Sequence, residues 1–174
     1  MHSLVARAQS DLRARYQDIP ELARTTSQAI TGGVPPDDPF HGLVRPGPAG
    51  SAPIAFGTHS AVGGPYDAPC PGDLMCAALA ACMDSSIRLV ANLLGVELLA
   101  LEVRVLGTLD VRGALGIARD VPVGFQAVSA HVRLKAGAGT PPEQLAQLRA
   151  AVERCCVVAR TLQAPPALET VFET

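Results

Sequence analysis

The stretch at residues 70–95, CPGDLMCAALAACMDSSIRLVANLLG, is the only long apolar run of the chain. Asp73 near its start is typical of the first turn of a helix, and Gly95 is typical of the residue just past the end. No charged residue occurs over 74–83, so a helix here must be covered by other elements on most sides. We therefore predict one core helix over 71–95, around which the rest of the fold is built.

The composition indicates a folded chain that associates with other copies of itself. A length of 174 residues suits one domain, over 1–174, with a sizeable core. With 48% hydrophobic and 17% charged residues, the chain is too apolar to be disordered, and its low charge favours an oligomer with a large buried interface. The net charge of −2 and the single lysine argue against nucleic acid and anionic membranes as partners.

The N-terminal segment has no continuous apolar region of the kind found in export signals. Asp84 and Arg88 interrupt the long apolar run before it reaches the length of a membrane span. The expected protein is therefore cytoplasmic, with no membrane partner.

The five cysteines do not form the pattern of a disulfide framework, because their number is odd and no export signal accompanies them. Cys70, Cys76 and Cys82 are six residues apart, and each step turns about 240° around a helix, so they do not converge on one metal ion. Cys155 and Cys156 are neighbours and are expected to point in different directions. We therefore predict no metal site.

The spacing of apolar residues changes several times along the chain. It is helical in the N-terminal segment and again after Thr140, which we interpret as a helix cap followed by prolines and Glu143. Short apolar pieces between turns rich in proline and glycine indicate a meander, and strict alternation indicates long antiparallel strands. The predicted elements are a helical arm over 1–20, a meander of short strands over 21–64, the core helix, two long strands over 99–136, a second helix over 140–163 and a closing strand over 168–173. This order predicts an α+β fold, with antiparallel sheets packed around two long central helices.

Four segments carry a resemblance to a known family: PGDLMCAALAAC at residues 71–82, LLGVELLALEVRVLGTLDVRG at residues 93–113, VGF at residues 123–125 and CVVARTL at residues 156–162. In their order and spacing they resemble the OsmC/Ohr family, named after osmotically inducible protein C and the organic hydroperoxide resistance protein. The resemblance extends from about residue 63 to the C-terminus. It implies an OsmC-like fold and an intertwined homodimer with its active site at the subunit interface.

The resemblance also implies a thiol peroxidase that needs no bound cofactor. Cys82 matches the family's peroxidatic cysteine, and Cys156 matches the resolving cysteine. In such a cycle the first thiolate becomes a sulfenic acid, the second thiol converts it to a disulfide, and an external dithiol reduces the disulfide. Apolar surroundings of Cys82 would favour organic hydroperoxides over hydrogen peroxide.

The chain departs from the Ohr pattern at two positions that support the thiolate. In Ohr-type members an arginine follows a TGG-like turn, and a glutamate lies just before the core helix. Here Val34 follows the turn, and Gly72 occupies the glutamate position. We consider Arg45, with Asp73 as its partner, as possible supporting residues that replace them.

Two other classes of function remain open. The first is a non-catalytic OsmC-like dimer that binds an apolar or electrophilic small molecule in the interface pocket. The second is a purely structural dimer, and for it Cys82 would be only a small core residue, as buried free cysteines usually are. The reaction with peroxide distinguishes the three hypotheses. Catalytic consumption of peroxide would favour the enzyme, stoichiometric loss of thiols would favour the binding dimer, and unreactive thiols would favour the structural dimer.

Overall fold

A computed structural model of the protein describes residues 3–173, so residues 1 and 2 of the predicted arm lie outside the described chain. The regular elements alternate between helices and short or long strands. They are α1 (Leu4–Asp18), β1 (Ala29–Thr31), β2 (His41–Pro46), β3 (Ile54–Gly57), α2 (Pro71–Leu94), β4 (Leu98–Thr108), α3 (Val111–Ala114), β5 (Ala127–Ala136), α4 (Pro142–Cys155) and α5 (Val157–Gln163).

The α+β prediction with antiparallel sheets is confirmed. The meander forms a three-stranded antiparallel sheet in the order β1-β2-β3, with Ile30 opposite Arg45. A second sheet pairs β4 with β5. The backbone N–H of Gln126 donates to the carbonyl of Thr108 over 2.8 Å, and that of Gly137 donates to the carbonyl of Glu97 over 3.0 Å. Each strand thus begins beside the end of the other, as in an antiparallel pair.

Helix α2 is the predicted core helix, and both of its ends have clear chemical causes. At the start, the Asp73 carboxylate accepts a hydrogen bond from the backbone N–H of Cys70 over 2.8 Å. At the end, Gly95 adopts a φ of +70°, and the N–H of Val96 donates to the carbonyl of Ala91 over 2.8 Å. This is a Schellman ending, which favours glycine because a side chain is strained at positive φ.

By length and composition, α2 is also long and apolar enough to cross a membrane, a test that the core helices of soluble proteins pass too. One of its faces is buried against other elements of the chain, through Leu79, Ile87, Val90 and Ala91. The prediction that this helix is covered on most sides is not met within the single chain, since Leu89 and Leu93 of the same helix are 42% and 38% exposed.

The contacts divide the chain into two compact units, and α1, α2, β4 and β5 each contribute to both. The first unit contains residues up to Gln9, Ala78–Arg104 and the chain from Ala130 onwards. Its core joins the second half of α2 to α4, through Ile87, Val90, Ala91, Val96, Leu148 and Val152. This unit contains both of the predicted redox cysteines.

The second unit contains Ser10–Ala77 and Val105–Ser129, which include the meander and the first turns of α2. The ring of Phe125, from the VGF segment, packs against Gly72 and Gly107. A side chain at Gly107 would occupy the position of that ring, so the close approach depends on glycine there.

The prediction of one continuous second helix over 140–163 is wrong, because two helices occupy this segment. Helix α4 ends at Cys155, and α5 begins at Val157. Cys156 between them has an extended backbone, with φ −71° and ψ 101°. Val157 and Val158 follow the break, and their β-branched side chains have lower helix propensity than straight-chain residues. Thr140 is not the cap either, since α4 begins at Pro142 with Pro141 in the N-cap position.

The expected closing strand over 168–173 is not formed, and this segment has no regular structure. Leu168 and Phe172 are 91% and 89% exposed. Alternating side chains favour a strand, but the backbone also needs a neighbouring edge for its hydrogen bonds. Within the described chain this segment does not find one.

Candidate functional site

Cys82 and Cys156 lie side by side, although they are 74 positions apart in the sequence. The thiol of Cys156 donates a hydrogen bond to the sulfur of Cys82, and the two Sγ atoms are 3.5 Å apart. Cys82 lies in the middle of α2 and is half-buried, whereas Cys156 is completely buried. A small movement of either side chain would bring the two sulfurs within bonding distance.

The break between α4 and α5 places Cys156 in this position. Its N–H donates to the carbonyl of Val152 over 3.0 Å, as in the last turn of a helix. Its carbonyl accepts from the N–H of Arg160 over 3.0 Å, as in the first turn of a new helix. Cys156 therefore lies between the last turn of one helix and the first turn of the next. The backbone hydrogen bonds of these two turns fix the position of its side chain.

The surroundings of Cys156 keep it protonated at neutral pH. Burial raises the pKa of its thiol, and the neighbouring Cys82 raises it further. The backbone of Ala159 and the side chain of Ser86 act to lower the pKa of Cys156, but the net shift is upwards. Cys156 is thus a thiol that can donate a hydrogen bond to Cys82 before any reaction occurs.

Ser86 is a residue of this site that the sequence analysis missed. It lies one helical turn after Cys82, so both residues occupy the same side of α2. It is 7% exposed and is the only polar residue classed as buried in residues 3–173. The four-residue spacing from Cys82 was a usable signal, but the helix carries Ser85 beside it, and spacing alone does not show which partner a serine has.

A cavity of about 500 Å³ has Cys156 in its wall. Most of its lining is apolar, including Met83, Ile87, Leu134, Leu145, Leu148 and Val152. Arg149 and Glu153 also line it, and their side chains form an exposed ion pair of 2.9 Å. The cavity suits an apolar group next to a buried thiol.

Asp73, one of the proposed supporting residues, forms hydrogen bonds with Tyr66 and Cys70 and not with Arg45. Its carboxylate accepts hydrogen bonds from the hydroxyl of Tyr66 over 3.1 Å and from the N–H of Cys70 over 2.8 Å. Burial acts to raise the pKa of Asp73, but these bonds and one from the Cys70 thiol outweigh it, so the pKa is lowered. Arg45 lies in β2, and no ion pair joins it to Asp73 in the part of the chain that the structure describes.

The other three cysteines are not part of the pair. Cys155 is exposed, next to the buried Cys156. Cys70 and Cys76 are half-buried at the start of α2, and burial raises the pKa of Cys76, with Asp73 and Cys70 adding to the effect. No group of three or more histidine, cysteine or acidic residues within residues 3–173 is arranged to hold a metal ion.

In a comparison with protein families, residues 63–171 match the family model described as "OsmC-like protein". The chain belongs to the OsmC-like family. The family resemblance recognised in the sequence is thereby confirmed. The matched region includes Cys82, Ser86 and Cys156, whereas Arg45 lies outside it.

Solved structures share the OsmC-like fold. An OsmC-like protein from Mycoplasma pneumoniae superimposes with a TM-score of 0.64 at 14% identity, covering 81% of this chain and 89% of that one. An organic hydroperoxide resistance protein from Legionella pneumophila gives 0.59 at 22% identity, covering 80% and 90%. Another, from Elizabethkingia anophelis, gives 0.59 at 19% identity, covering 82% and 91%. No curated protein matches this OsmC-like chain.

Proposed function

We propose that this OsmC-like protein is a thiol peroxidase that reduces organic hydroperoxides, with Cys82 as the peroxidatic and Cys156 as the resolving cysteine. The observation that carries the proposal is the 3.5 Å separation of the two sulfurs, which come from different helices. Membership of the OsmC-like family supports a redox role. The organic hydroperoxide resistance proteins among the structural neighbours favour a peroxide as the oxidant.

In the first step the thiolate of Cys82 attacks the terminal oxygen of the hydroperoxide, ROOH. The O–O bond breaks, an S–O bond forms, and the alcohol ROH leaves after taking up a proton. Cys82 is oxidised to a sulfenic acid. The raised pKa of Cys156 keeps that residue protonated at this stage, so the S–H group donates towards Cys82 rather than competing with it for the peroxide.

In the second step Cys156 loses its proton, and its sulfur attacks the sulfur of the sulfenic acid. The S–O bond of Cys82 breaks, hydroxide leaves and is protonated to water, and a Cys82–Cys156 disulfide remains. An external dithiol then reduces this disulfide by two thiol–disulfide exchanges and is itself oxidised. Such a reductant is maintained in reducing compartments, which makes the cytoplasm the expected location.

The cavity beside Cys156 supports an organic rather than an inorganic peroxide as substrate. Hydrogen peroxide has no apolar surface to bury against this lining. An alkyl chain that moves from water into the cavity contributes about 0.8 kcal/mol of binding free energy for each buried methylene group. We propose that the alkyl group of the hydroperoxide binds in this cavity. We also propose that the functional protein is a homodimer, as the family resemblance implies.

The test is consumption of an alkyl hydroperoxide by the full chain with a dithiol reductant. We expect Cys82→Ser to reduce turnover to the level of the buffer blank. Without the dithiol, which would itself reduce a sulfenic acid, Cys156→Ser should consume about one peroxide per chain and leave a sulfenic acid that dimedone traps. Cys155→Ser, the matched control, should turn over like the wild type, because this neighbouring thiol is exposed and outside the pair. Arg45→Gln in the same assay tests the proposal that Arg45 supports the thiolate.

Peroxide consumption that survives in Cys82→Ser would contradict the assigned roles. A wild-type protein that consumes no peroxide would contradict the enzyme proposal and favour the alternative, a dimer that binds an apolar or electrophilic small molecule without turnover. The observation that favours this alternative is the apolar cavity itself, which suits binding with or without chemistry. Binding of an alkyl alcohol, with no loss of thiols on addition of peroxide, would support it.

A further inference from the structure

The two sulfurs of the redox pair differ in how easily a molecule in solution can reach them. Cys82 is half-buried, whereas the exposed fraction of Cys156 is 0%. Association with a second copy of the chain covers further surface and uncovers none, so Cys156 stays closed to solvent in a homodimer as well. Cys82 is therefore the one sulfur of the pair that an external reductant can approach.

The position of Cys82 on α2 explains its partial exposure. Residues three and four positions apart lie on the same side of a helix. Leu79 and Ser86, three positions before Cys82 and four after it, are buried. Ala78 and Ser85, four positions before it and three after it, lie on its other side and are exposed. Cys82 thus lies at the border between the buried and the exposed face of α2, and its exposed neighbours have small side chains.

Cys156 has no such open side. Its N–H donates to the carbonyl of Val152 and its carbonyl accepts from the N–H of Arg160, both over 3.0 Å, so hydrogen-bonded turns precede and follow it. Leu148 and Val152 of α4 are buried as well. Cys156 contributes to the wall of the apolar cavity, but with an exposed fraction of 0% it offers no surface there to an attacking sulfur.

The reduction of a disulfide depends on access to one of its two sulfurs. A thiolate attacks one sulfur along the line of the S–S bond, and the other sulfur leaves. In the reduced protein the two Sγ atoms are 3.5 Å apart, so a bond of about 2 Å requires only a small movement. The difference in exposure between Cys82 and Cys156 therefore carries over to the disulfide.

We infer that an external dithiol attacks the Cys82–Cys156 disulfide at Cys82, with Cys156 as the leaving sulfur. This inference rests on the proposed pairing of the two cysteines. In the first exchange a bond forms between a sulfur of the reductant and Cys82, the bond to Cys156 breaks, and Cys156 takes the electron pair and then a proton. In the second exchange the other thiol of the reductant attacks the reductant sulfur of this mixed disulfide, and Cys82 leaves as a thiolate. The dithiol is oxidised to a disulfide, and both cysteines are reduced.

Two effects act on the choice of the attacked sulfur, and access decides between them. Burial raises the pKa of the Cys156 thiol, and a thiolate of raised pKa leaves more slowly, which opposes attack at Cys82. A sulfur that cannot be approached does not react at all, however good its leaving group is. The complete burial of Cys156 therefore outweighs the effect of its pKa.

The test locates the first mixed disulfide. Full-length Cys155→Ser protein, which lacks the exposed thiol next to Cys156, is oxidised with diamide, and peptide mass spectrometry identifies the Cys82–Cys156 disulfide. The monothiol 2-mercaptoethanol then opens this disulfide, but it has no second thiol with which to complete the reduction within one molecule. After an acid quench at short times and alkylation of the free thiols, tandem mass spectrometry shows which cysteine carries mercaptoethanol.

We expect about ten times more mercaptoethanol on Cys82 than on Cys156, because access controls the rate of exchange. Mercaptoethanol mainly on Cys156, or in equal amounts on both residues, would overturn the inference. If mercaptoethanol adds to Cys82 while the wild type consumes no hydroperoxide, the peroxidase proposal fails and the inference stands. If diamide forms no Cys82–Cys156 disulfide, the pairing is wrong and the inference fails with it.

An independent check needs no variant. In the reduced wild type, alkylation by N-ethylmaleimide is followed for each cysteine by peptide mass spectrometry, with the exposed Cys155 as the internal standard. Cys82 should be modified about ten-fold faster than Cys156 in the folded protein, and unfolding in urea should remove most of this difference. Equal rates in the folded protein would show that solvent reaches Cys156 and would overturn the inference.

Discussion

Two adjacent cysteines, Cys155 and Cys156, have opposite environments because the helix ends between them and Cys156 has an extended backbone. Cys155 ends α4 and is exposed, while Cys156 is buried against α2. The sequence alone does not distinguish them, since both fall in one apolar pattern. The family resemblance selected Cys156, and the contact with Cys82 supports that selection.

His41 shows how single side chains connect the meander to the loop before α2. Its Nδ1 lies 2.9 Å from the Asp38 carboxylate, and its Nε2 lies 3.2 Å from that of Asp67. The hydrogen bond to Asp38 raises the pKa of His41, and Asp67 contributes in the same direction. The backbone N–H of Phe40, followed by His41, lowers the pKa of Asp38.

We predict a pH-dependent contribution of His41 to stability. Because its pKa is raised on folding, the contribution is complete below the unfolded value of about 6.5 and disappears as pH rises through the higher folded value. For Asp38, whose pKa is lowered, the contribution is complete above its ordinary value and disappears as pH falls through the lower folded value. The contacts of His41 with Asp38 and Asp67 should therefore contribute most to stability between about pH 4 and pH 6.5.

The measurement is urea unfolding of His41→Gln and of the control His131→Gln at several pH values. His131 is an exposed histidine in β5. The stability lost in His41→Gln should be larger at pH 6 than at pH 8.5, whereas His131→Gln should show no such trend. An equal loss of stability at both pH values would contradict the predicted contribution of His41.

At the scale of elements, the start of α2 depends on Asp73. Its carboxylate satisfies the N–H of Cys70 and binds the Tyr66 hydroxyl. We expect Asp73→Ala to lower the free energy of unfolding by about 1 kcal/mol, the usual effect of losing a side-chain cap. The effect should shrink as pH falls through the lowered pKa of Asp73, since the protonated acid is a weaker acceptor.

Urea unfolding at pH 7 and pH 3 checks this prediction against Asp120→Ala, which removes an exposed carboxylate from a loop. Asp73→Asn, which keeps a side-chain oxygen, should lose less than Asp73→Ala. Equal stability of Asp73→Ala and Asp120→Ala would show that the cap contributes nothing.

The elements that local patterns specify were predicted well, and those that need a partner were not. The core helix was expected over 71–95 and occupies Pro71–Leu94, because its apolar middle and Gly95 are local signals. The strands of the meander and the pair β4 and β5 also follow their predicted segments. The break at Cys156 escaped prediction, since one extended residue hardly changes the helical spacing of apolar side chains.

The candidate site shows the same division. The motifs pointed to Cys82 and Cys156, but the pairing of Asp73 with Tyr66 and Cys70 instead of Arg45 is a tertiary contact that no local pattern encodes. Ser86 was overlooked because a serine in a long helix is most simply a neutral residue. Its burial became visible only in the folded chain.

At the scale of the whole molecule, several large apolar side chains remain exposed in the single chain. Ile30 in β1, Leu99 in β4 and Phe172 near the C-terminus are 68%, 53% and 89% exposed. Isolated exposed apolar residues are normal, but these lie on sheet strands or in the segment expected to form a closing strand. They support the proposed homodimer, in which such surfaces would be buried.

The homodimer makes two predictions that one series of experiments can check. Light scattering should give twice the chain mass of 18.0 kDa, and the thermal midpoint should rise with protein concentration, because dimerisation stabilises the folded state by mass action. If Phe172 is buried in the dimer, Phe172→Asp should weaken association about ten-fold or more, since burial of such a side chain contributes about 1.5–3 kcal/mol. Thr170→Asp, which adds the same charge two residues earlier at a polar position, should have a smaller effect. A chain that stays monomeric at high concentration would contradict the dimer, and equal weakening by the two substitutions would show that charge, rather than the loss of the Phe172 ring, is responsible.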